Sequence, residues 1–417
     1  MRALNDPNVI LRSTRLVDAF VELARIDTQS DEKSPAWPST PGQRTGLEAV
    51  RRKLTERGLA DAAIDKNGYL FATLPGNRKG APVIGLIAHI DTSPDYSGKD
   101  VSPVAHANYQ GETLALKNGV TISPEESPWL TQCVGDTILT ADGTTLLGAD
   151  DKAGVAEILA ALEYLHANPD LPRPTVRVAI TPDEEIGRGA EKFDVERFGA
   201  HCAYTLDGGF SGEVNGETFS ADSAAVAIAG VAVHPGTAKG KLVNAIRWAA
   251  AFVESLPPDE SPEKTEGRQG FYHPTRISGN ASEAKVSLIL RDFELGKLTA
   301  RGDAIRRLAE ELRRREPRLG VTVEITETYR NMAYWLKDRP EVMDRLVEAV
   351  KLVGIEPRVE PIRGGTDGSG LTAKGLPTPN IFTGGVNYHG PQEWISTRVM
   401  AQAVCVTLNL IQLWAEK

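Results

Sequence analysis

Apolar and polar residues alternate along this chain in two rhythms. The stretch APVIGLIAHID, ending at Asp91, is apolar on both faces, which predicts a central strand buried on both sides. In AEILAALEYLHANPD, Val155, Ile158, Leu159, Leu162 and Leu165 fall on one helical stripe, and Asn168-Pro169 stops it. PTVRVAITPDEE and HCAYTLDGG read as two more strands, each running into an acidic loop. From about Ala81 to Asp207, then, strands alternate with helical periodicity, the signature of an α/β sheet covered by helices. Near the N-terminus Leu16, Phe20 and Leu23 recur at helical spacing and predict an amphipathic core helix.

The rhythm changes around Gly216. Strands are predicted near Ser223–Val233, Gly270–Ser278, Ser282–Asp292 and Val321–Thr328, with helices near Leu242–Ser255 and Lys297–Glu316. That β-α-β-β-α-β order is the split βαβ arrangement of a small α+β domain. The α/β rhythm then returns with a helix near Pro340–Val353, a glycine-rich loop, the strand PTPNIFTGG and a closing helix from Ser396. The expected organisation is an α/β domain in two parts, 1–216 and 331–417, interrupted by an inserted domain at 217–330.

Composition narrows the function. Fifty-six acidic against 47 basic residues give a net charge of −9 with no basic tract, which argues against a nucleic-acid partner. Cys133, Cys202 and Cys405 form no CxxC pair, which suits a reducing cytoplasm and excludes a disulfide framework or a thiolate zinc site. The N-terminal stretch, with Arg, Asp and Glu among its apolar positions, is expected to be the amphipathic core helix rather than a secretion signal. No apolar run approaches the roughly 20 residues of a membrane span, so a soluble, cytoplasmic protein is expected.

The chemistry gathers where predicted strands end. His89 and Asp91 close one, Asp150 another, Glu184 and Glu185 follow a third, Asp207 a fourth, and His389 lies past a fifth. Ligands of open α/β sheets bind at the carboxyl ends of strands, so one crevice could receive all of these side chains. Imidazoles and carboxylates without thiolates suit Zn²⁺, Mn²⁺ or Co²⁺ in a catalytic site. The carboxylates are too many for one ion, and a shared one bridging two ions roughly 3.5–4 Å apart would use them better.

In HID, residues i and i+2 of a strand point the same way, so Asp91 can accept the free ring N–H of His89. In DEE, neighbours of an extended segment point apart, so one glutamate can ligate while the other acts as general base. Each motif alone has a plainer explanation. HxD is common, DEE is usually a solvated turn, and Asp150-Asp151 could simply favour a helix N-terminus. Their joint occurrence is what points to a metal site. His106, His166, His201 and His273 are assigned no chemistry.

The blocks GLIAHIDTSPD, LLGADDKAG, TPDEEIGRGA, AYTLDGG, VHPGTAKGKLVNA, IRGGTDGSG and NIFTGGVNYHGPQEW together resemble the dimetal zinc metallopeptidases that include carboxypeptidase G2 and aminoacylase, and among them the tripeptide aminopeptidases. The resemblance runs in matching order from about residue 80 to 395. It implies a zinc-exopeptidase-like α/β domain, a mixed sheet between helices, interrupted by a ferredoxin-like α+β lid domain.

Carried over residue by residue, the resemblance makes Asp150 the carboxylate shared by two Zn²⁺ ions, which Co²⁺ or Mn²⁺ could replace. His89 and Asp207 would complete one site, Glu185 and His389 the other. Glu184 would be the general base and Asp91 the group orienting His89. Asp151 would be structural, joined to Asp150 by a cis peptide. His234, otherwise a turn residue before proline, would reach the substrate from the lid. Arg291 and Arg363 are candidates for the substrate's carboxylate, the latter beside GGTDGSG, whose N–H groups could form an anion-binding concavity. That loop lacks the GK[ST] of a nucleotide P-loop.

The implied reaction is hydrolysis of the N-terminal residue from a tripeptide by a metal-activated water. A related dimetal dipeptidase or N-acyl amino acid deacylase is the alternative. The expected partners are a short peptide and, by analogy with related lids, a second copy of the chain in a homodimer.

Overall fold

A computed structural model describes residues 3–416 and divides the chain into two compact units. The first comprises the chain up to Gly216, from Met332 to Glu360, and from Thr366 onward; the second comprises Glu217–Asn331 and Pro361–Gly365.

The first unit is built on an eight-stranded mixed sheet. Its order is Ala63–Ile64, Leu70–Leu74, Val176–Thr181, Ile84–His89, Cys202–Gly208, Asn380–Phe382, Glu213–Asn215 and Arg358–Val359. Four neighbours, from Val176–Thr181 to Asn380–Phe382, run parallel, so their carboxyl ends share one edge. Ile84–His89 is buried at every position, as its unbroken apolar run requires. Helix Ala149–Ala167 packs on that strand and on Cys202–Gly208, and is buried on nearly all its faces. Gly154 lets it approach so closely that an added Cβ would meet the Leu206 carbonyl and Asp151 Oδ1.

Three features depart from the sequence reading. The apolar lead into Asp150 is not a strand. The chain before it turns through Gly148 (φ 78°, ψ 30°), and the N–H groups of this turn are received by the Glu393 carboxylate instead of a ladder. His389 is carried by a separate four-stranded antiparallel sheet, ordered Gly385–Val386, Trp394–Ser396, Ile138–Thr140 and Val104–His106. Its strands have only two or three residues, too short to leave a periodicity. Finally, helix Thr397–Ala415 is long and apolar enough to cross a bilayer, yet 83% of it is buried inside the unit, which makes it a core helix.

The second unit is a four-stranded antiparallel sheet ordered Phe271–Gly279, Glu283–Asp292, Ser220–Ala229 and Gly320–Tyr329, the ferredoxin-like order expected from β-α-β-β-α-β. Ala284, Val286, Leu288 and Leu290 alternate onto the buried face, where helices Ala245–Glu254 and Leu295–Arg315 cover them. The first of these helices starts where Asn244 accepts the N–H groups of Ile246 and Arg247.

Candidate metal centre

His89 ends a strand buried at every position and is itself 2% exposed. Its Nε2 lies 2.9 Å from Asp150 Oδ1 and 3.6 Å from Asp207 Oδ1. The other oxygen of Asp150, Oδ2, lies 3.4 Å from His389 Nε2, and that nitrogen is 3.0 Å from Glu185 Oε2. A single carboxylate thus stands between two imidazole–carboxylate pairs. The parallel edge supplies His89 and Asp207, the loop after Val176–Thr181 supplies Glu185, and the hairpin loop of the small sheet supplies His389.

Asp91 acts differently from the expectation. The His89 Nδ1 bonds the main-chain carbonyl of Asp91 at 3.0 Å and stands 3.5 Å from its carboxylate. With Nδ1–H held by that carbonyl, Nε2 is the ring nitrogen turned towards the carboxylates, where it donates to them when protonated and could ligate a cation when not. The buried carboxylate of Asp91 instead receives the N–H groups of Glu184 at 3.0 Å and Glu185 at 3.1 Å, and so fixes the glutamate loop.

That loop is not extended either. Asp183 has a left-handed backbone (φ 58°), and Glu184–Ile186 form a 3₁₀ turn. The glutamates still diverge. Glu185 meets His389, whereas Glu184 Oε2 stands 4.0 Å from His89 Nε2 and its Oε1 accepts the Asp367 N–H at 3.2 Å. Thus the glycine-rich loop does present an N–H to an anion, but the anion belongs to the chain itself.

Asp151 follows Asp150 through a cis peptide. Its Oδ2 accepts the His89 N–H and its Oδ1 the Gly154 N–H, each at 3.1 Å. Asp151 has an oxygen within 4.8 Å of ligand atoms of His89 and Asp207, as Asp150 has of His89 and Glu185. The two aspartates differ in what they face: each oxygen of Asp151 receives a backbone N–H, whereas each oxygen of Asp150 faces an imidazole.

Three side chains at this centre were missed in the sequence. Glu393 holds the turn before Asp150. Asp183 anchors the glutamate loop by accepting from Ser39 N (2.8 Å), Ser39 Oγ (2.5 Å) and Gln43 Nε2 (2.6 Å). Asp367 accepts the Thr181 hydroxyl at 2.6 Å. The available signal was weak: an acidic residue beside a buried strand or inside a glycine loop.

The candidate substrate residues lie in the second unit. His234 is exposed, and its Nδ1 accepts the Gly236 N–H at 3.1 Å, capping a one-turn 3₁₀ segment. Arg291 Nη1 donates to the Arg363 carbonyl at 3.2 Å, and its buried Nε has no hydrogen-bond partner among the described residues. Arg363, by contrast, gives its guanidinium to Thr265, Gly267 and Gln269 and stacks over Phe219.

Electrostatics show what the cluster lacks. Burial pushes Glu184 well above the usual carboxylate range, Glu185 up to about 8 and Asp207 up to about 6. Burial would raise Asp150 too, but hydrogen bonds from His389 and His89 hold it below its ordinary value. Asp150 and Glu185 push His389 up to about 11. Among the described residues, imidazoles alone form ion pairs with Asp150, Glu185 and Asp207. Glu185 Oε1 is buried without a hydrogen-bond partner among the described residues. An excess of buried carboxylate with an orphaned oxygen fits divalent cations, and the nitrogen–oxygen donor set fits the zinc class.

A prediction follows for metal uptake. Burial raises Glu185 and the neighbouring carboxylates raise His389, so the metal-free pair retains a proton near neutrality that cation binding must expel. Apparent affinity should therefore rise with pH across neutrality. Calorimetric titrations of the metal-free protein in buffers of different ionisation enthalpy should show net proton release; heats independent of buffer would contradict it.

Two imidazole–carboxylate pairs on one shared aspartate, at the edge of a mixed sheet, define a class of metal-dependent hydrolases. The chain belongs to peptidase family M20/M25/M40, whose model matches residues 139–413. It is 47% identical over 406 residues to peptidase T of Bacillus licheniformis, spanning 97% of this chain and 99% of that protein. A solved tripeptidase from Staphylococcus aureus aligns with a TM-score of 0.75 at 21% identity, covering 97% of this chain and 98% of that one. A dinuclear metal-binding M20 peptidase from Bacillus subtilis aligns at 0.64 and 16% identity, over 97% and 98% of the two chains. At these identities the two structures speak for the fold.

Proposed function

We propose that this protein is a cytoplasmic metallo-aminopeptidase that removes the N-terminal residue from tripeptides with the help of two Zn²⁺ ions, replaceable by Co²⁺ or Mn²⁺. The observation that carries the reading is the division of Asp150 between two imidazole–carboxylate pairs. Identity to peptidase T over nearly the full length supports the substrate class. Free, buried Cys133, Cys202 and Cys405 suit a reducing compartment.

In this reading Asp150, His89 and Asp207 would hold one ion, and Asp150, Glu185 and His389 the other. When bound, the ions would supply an acidified water and polarise the scissile carbonyl. Glu184, held by the Asp367 N–H, takes the proton from the attacking water and returns it to the leaving amine. Asp91 keeps both glutamates and the His89 tautomer in place.

The inserted domain, 217–330, serves as the lid. From it His234 reaches the substrate through Nε2, since Nδ1 is engaged in the turn. Arg291, with an unused Nε, holds the substrate carboxylate, while Arg363 supports it through its carbonyl. Assembly as a homodimer is proposed by analogy with related lids.

The test is a chelator-treated sample reconstituted with Zn²⁺, Co²⁺ or Mn²⁺ and assayed on di-, tri- and tetrapeptides with free or blocked ends. Turnover should centre on tripeptides with a free amino end. A preference for dipeptides or N-acyl amino acids would favour the related dipeptidase or deacylase instead. Replacing His234 by Ala should lower kcat by about 10²-fold or more with metal content unchanged, in line with the loss of a transition-state hydrogen-bond donor. An unchanged rate would return His234 to its role as a turn cap.

A further inference from the structure

We propose that Glu393 is the positioning residue for Asp150, clamping the Leu147–Asp150 turn so that both oxygens of the shared carboxylate face their imidazoles. The inference rests on the proposed role of Asp150 as the ligand common to both ions.

Glu393 is 1% exposed. Its Oε2 accepts the N–H groups of Leu147 (2.6 Å) and Gly148 (2.8 Å), and its Oε1 those of Ala149 (2.7 Å) and Asp150 (3.1 Å). Four consecutive amides converge on one anion because Gly148 turns left-handed and curls the backbone into a nest. An ionised carboxylate suits this place because it only accepts, and its two oxygens offer about four lone pairs to four donors. An amide of the same shape would turn its own N–H groups towards two of them.

The clamp also connects the two halves of one ion site. Glu393 belongs to the loop between Gly385–Val386 and Trp394–Ser396 that carries His389, and its own N–H closes that loop onto the Gly390 carbonyl at 3.2 Å. One hairpin therefore presents His389 and also holds the turn presenting Asp150, whose Oδ2 lies 3.4 Å from His389 Nε2. A rigid clamp of this kind costs nothing at each metal-binding event, whereas a loose turn would have to be ordered each time.

The experiment compares E393Q and E393D with the parent, using D150N as the reference for a lost ligand. In the metal-free full-length protein, exchange of the Leu147–Asp150 amides should quicken at least about tenfold in E393Q, while amides of strand Ile84–His89 keep their protection. Co²⁺ affinity should fall by about 10- to 100-fold, as for other partners that orient metal ligands. The cobalt visible absorption should change, and kcat should fall at saturating metal with KM little altered. E393D, shorter by one methylene, should lie between E393Q and the parent, and carries the same readouts should E393Q not fold. Parent-like amide protection in E393Q, or parent-like cobalt affinity beside a metal-poor D150N, would overturn the clamp. A D150N protein that keeps both cobalt ions would instead overturn the reading of Asp150 itself.

Discussion

Substituting Glu184 by Gln should abolish nearly all turnover, by about 10²- to 10⁴-fold, while both metal ions remain bound. The argument is geometric. Glu184 Oε1 is held by the Asp367 N–H and its Oε2 stands 4.0 Å from His89 Nε2, so it borders the His89 pair without taking part in the contacts around Asp150. Glutamine keeps the shape and the Oε1 acceptor but cannot take a proton from water. Burial raises the Glu184 carboxyl above its ordinary value, which strengthens it as a proton acceptor. Metal analysis of the purified variant, run beside a tripeptide assay, checks both halves of the prediction. Substantial remaining activity removes Glu184 as the base; lost metal makes it a ligand.

Part of the cluster was legible in the sequence because two of its side chains stand at strand ends, where a buried apolar run meets isolated polar residues. These are His89 after IGLIA and Asp207 after CAYTL, and both are placed by their own strands. The ferredoxin-like unit was legible for a related reason. Strand Glu283–Asp292 alternates along its whole length, so it could be read to within a residue.

What sequence could not give was the support. Asp183 works through Ser39 and Gln43, 144 and 140 positions earlier, and Glu393 through amides 243 to 246 positions earlier. Such carboxylates carry no periodicity, and their donors are backbone groups that every residue has. Asp91 shows the same effect in miniature. Spacing placed it beside His89, but two amides from a distant loop drew its carboxylate away.

Replacing Asp150 by Asn should empty both metal sites, whereas His389→Ala should weaken chiefly one. The asymmetry follows from where the oxygens sit. Oδ1 of Asp150 faces His89 and Oδ2 faces His389, so one substitution takes an anionic donor from both pairs. His389 touches Asp150 and Glu185, while His89 keeps Asp150 and Asp207 without it. An amide could still offer one oxygen, but its NH₂ group would face an imidazole or a cation with donors alone. The loss of affinity in D150N should therefore exceed the about 10- to 100-fold typical of residues that merely orient ligands. Metal content should fall from two ions per chain to nearly none, and the thermal midpoint should no longer rise with added Zn²⁺, since ligand stabilisation requires binding to the folded state. Elemental analysis and melting curves with and without Zn²⁺ read this directly. If D150N retained one ion and H389A retained none, the shared donor would have to be sought elsewhere, and Asp151 would be the first residue to test.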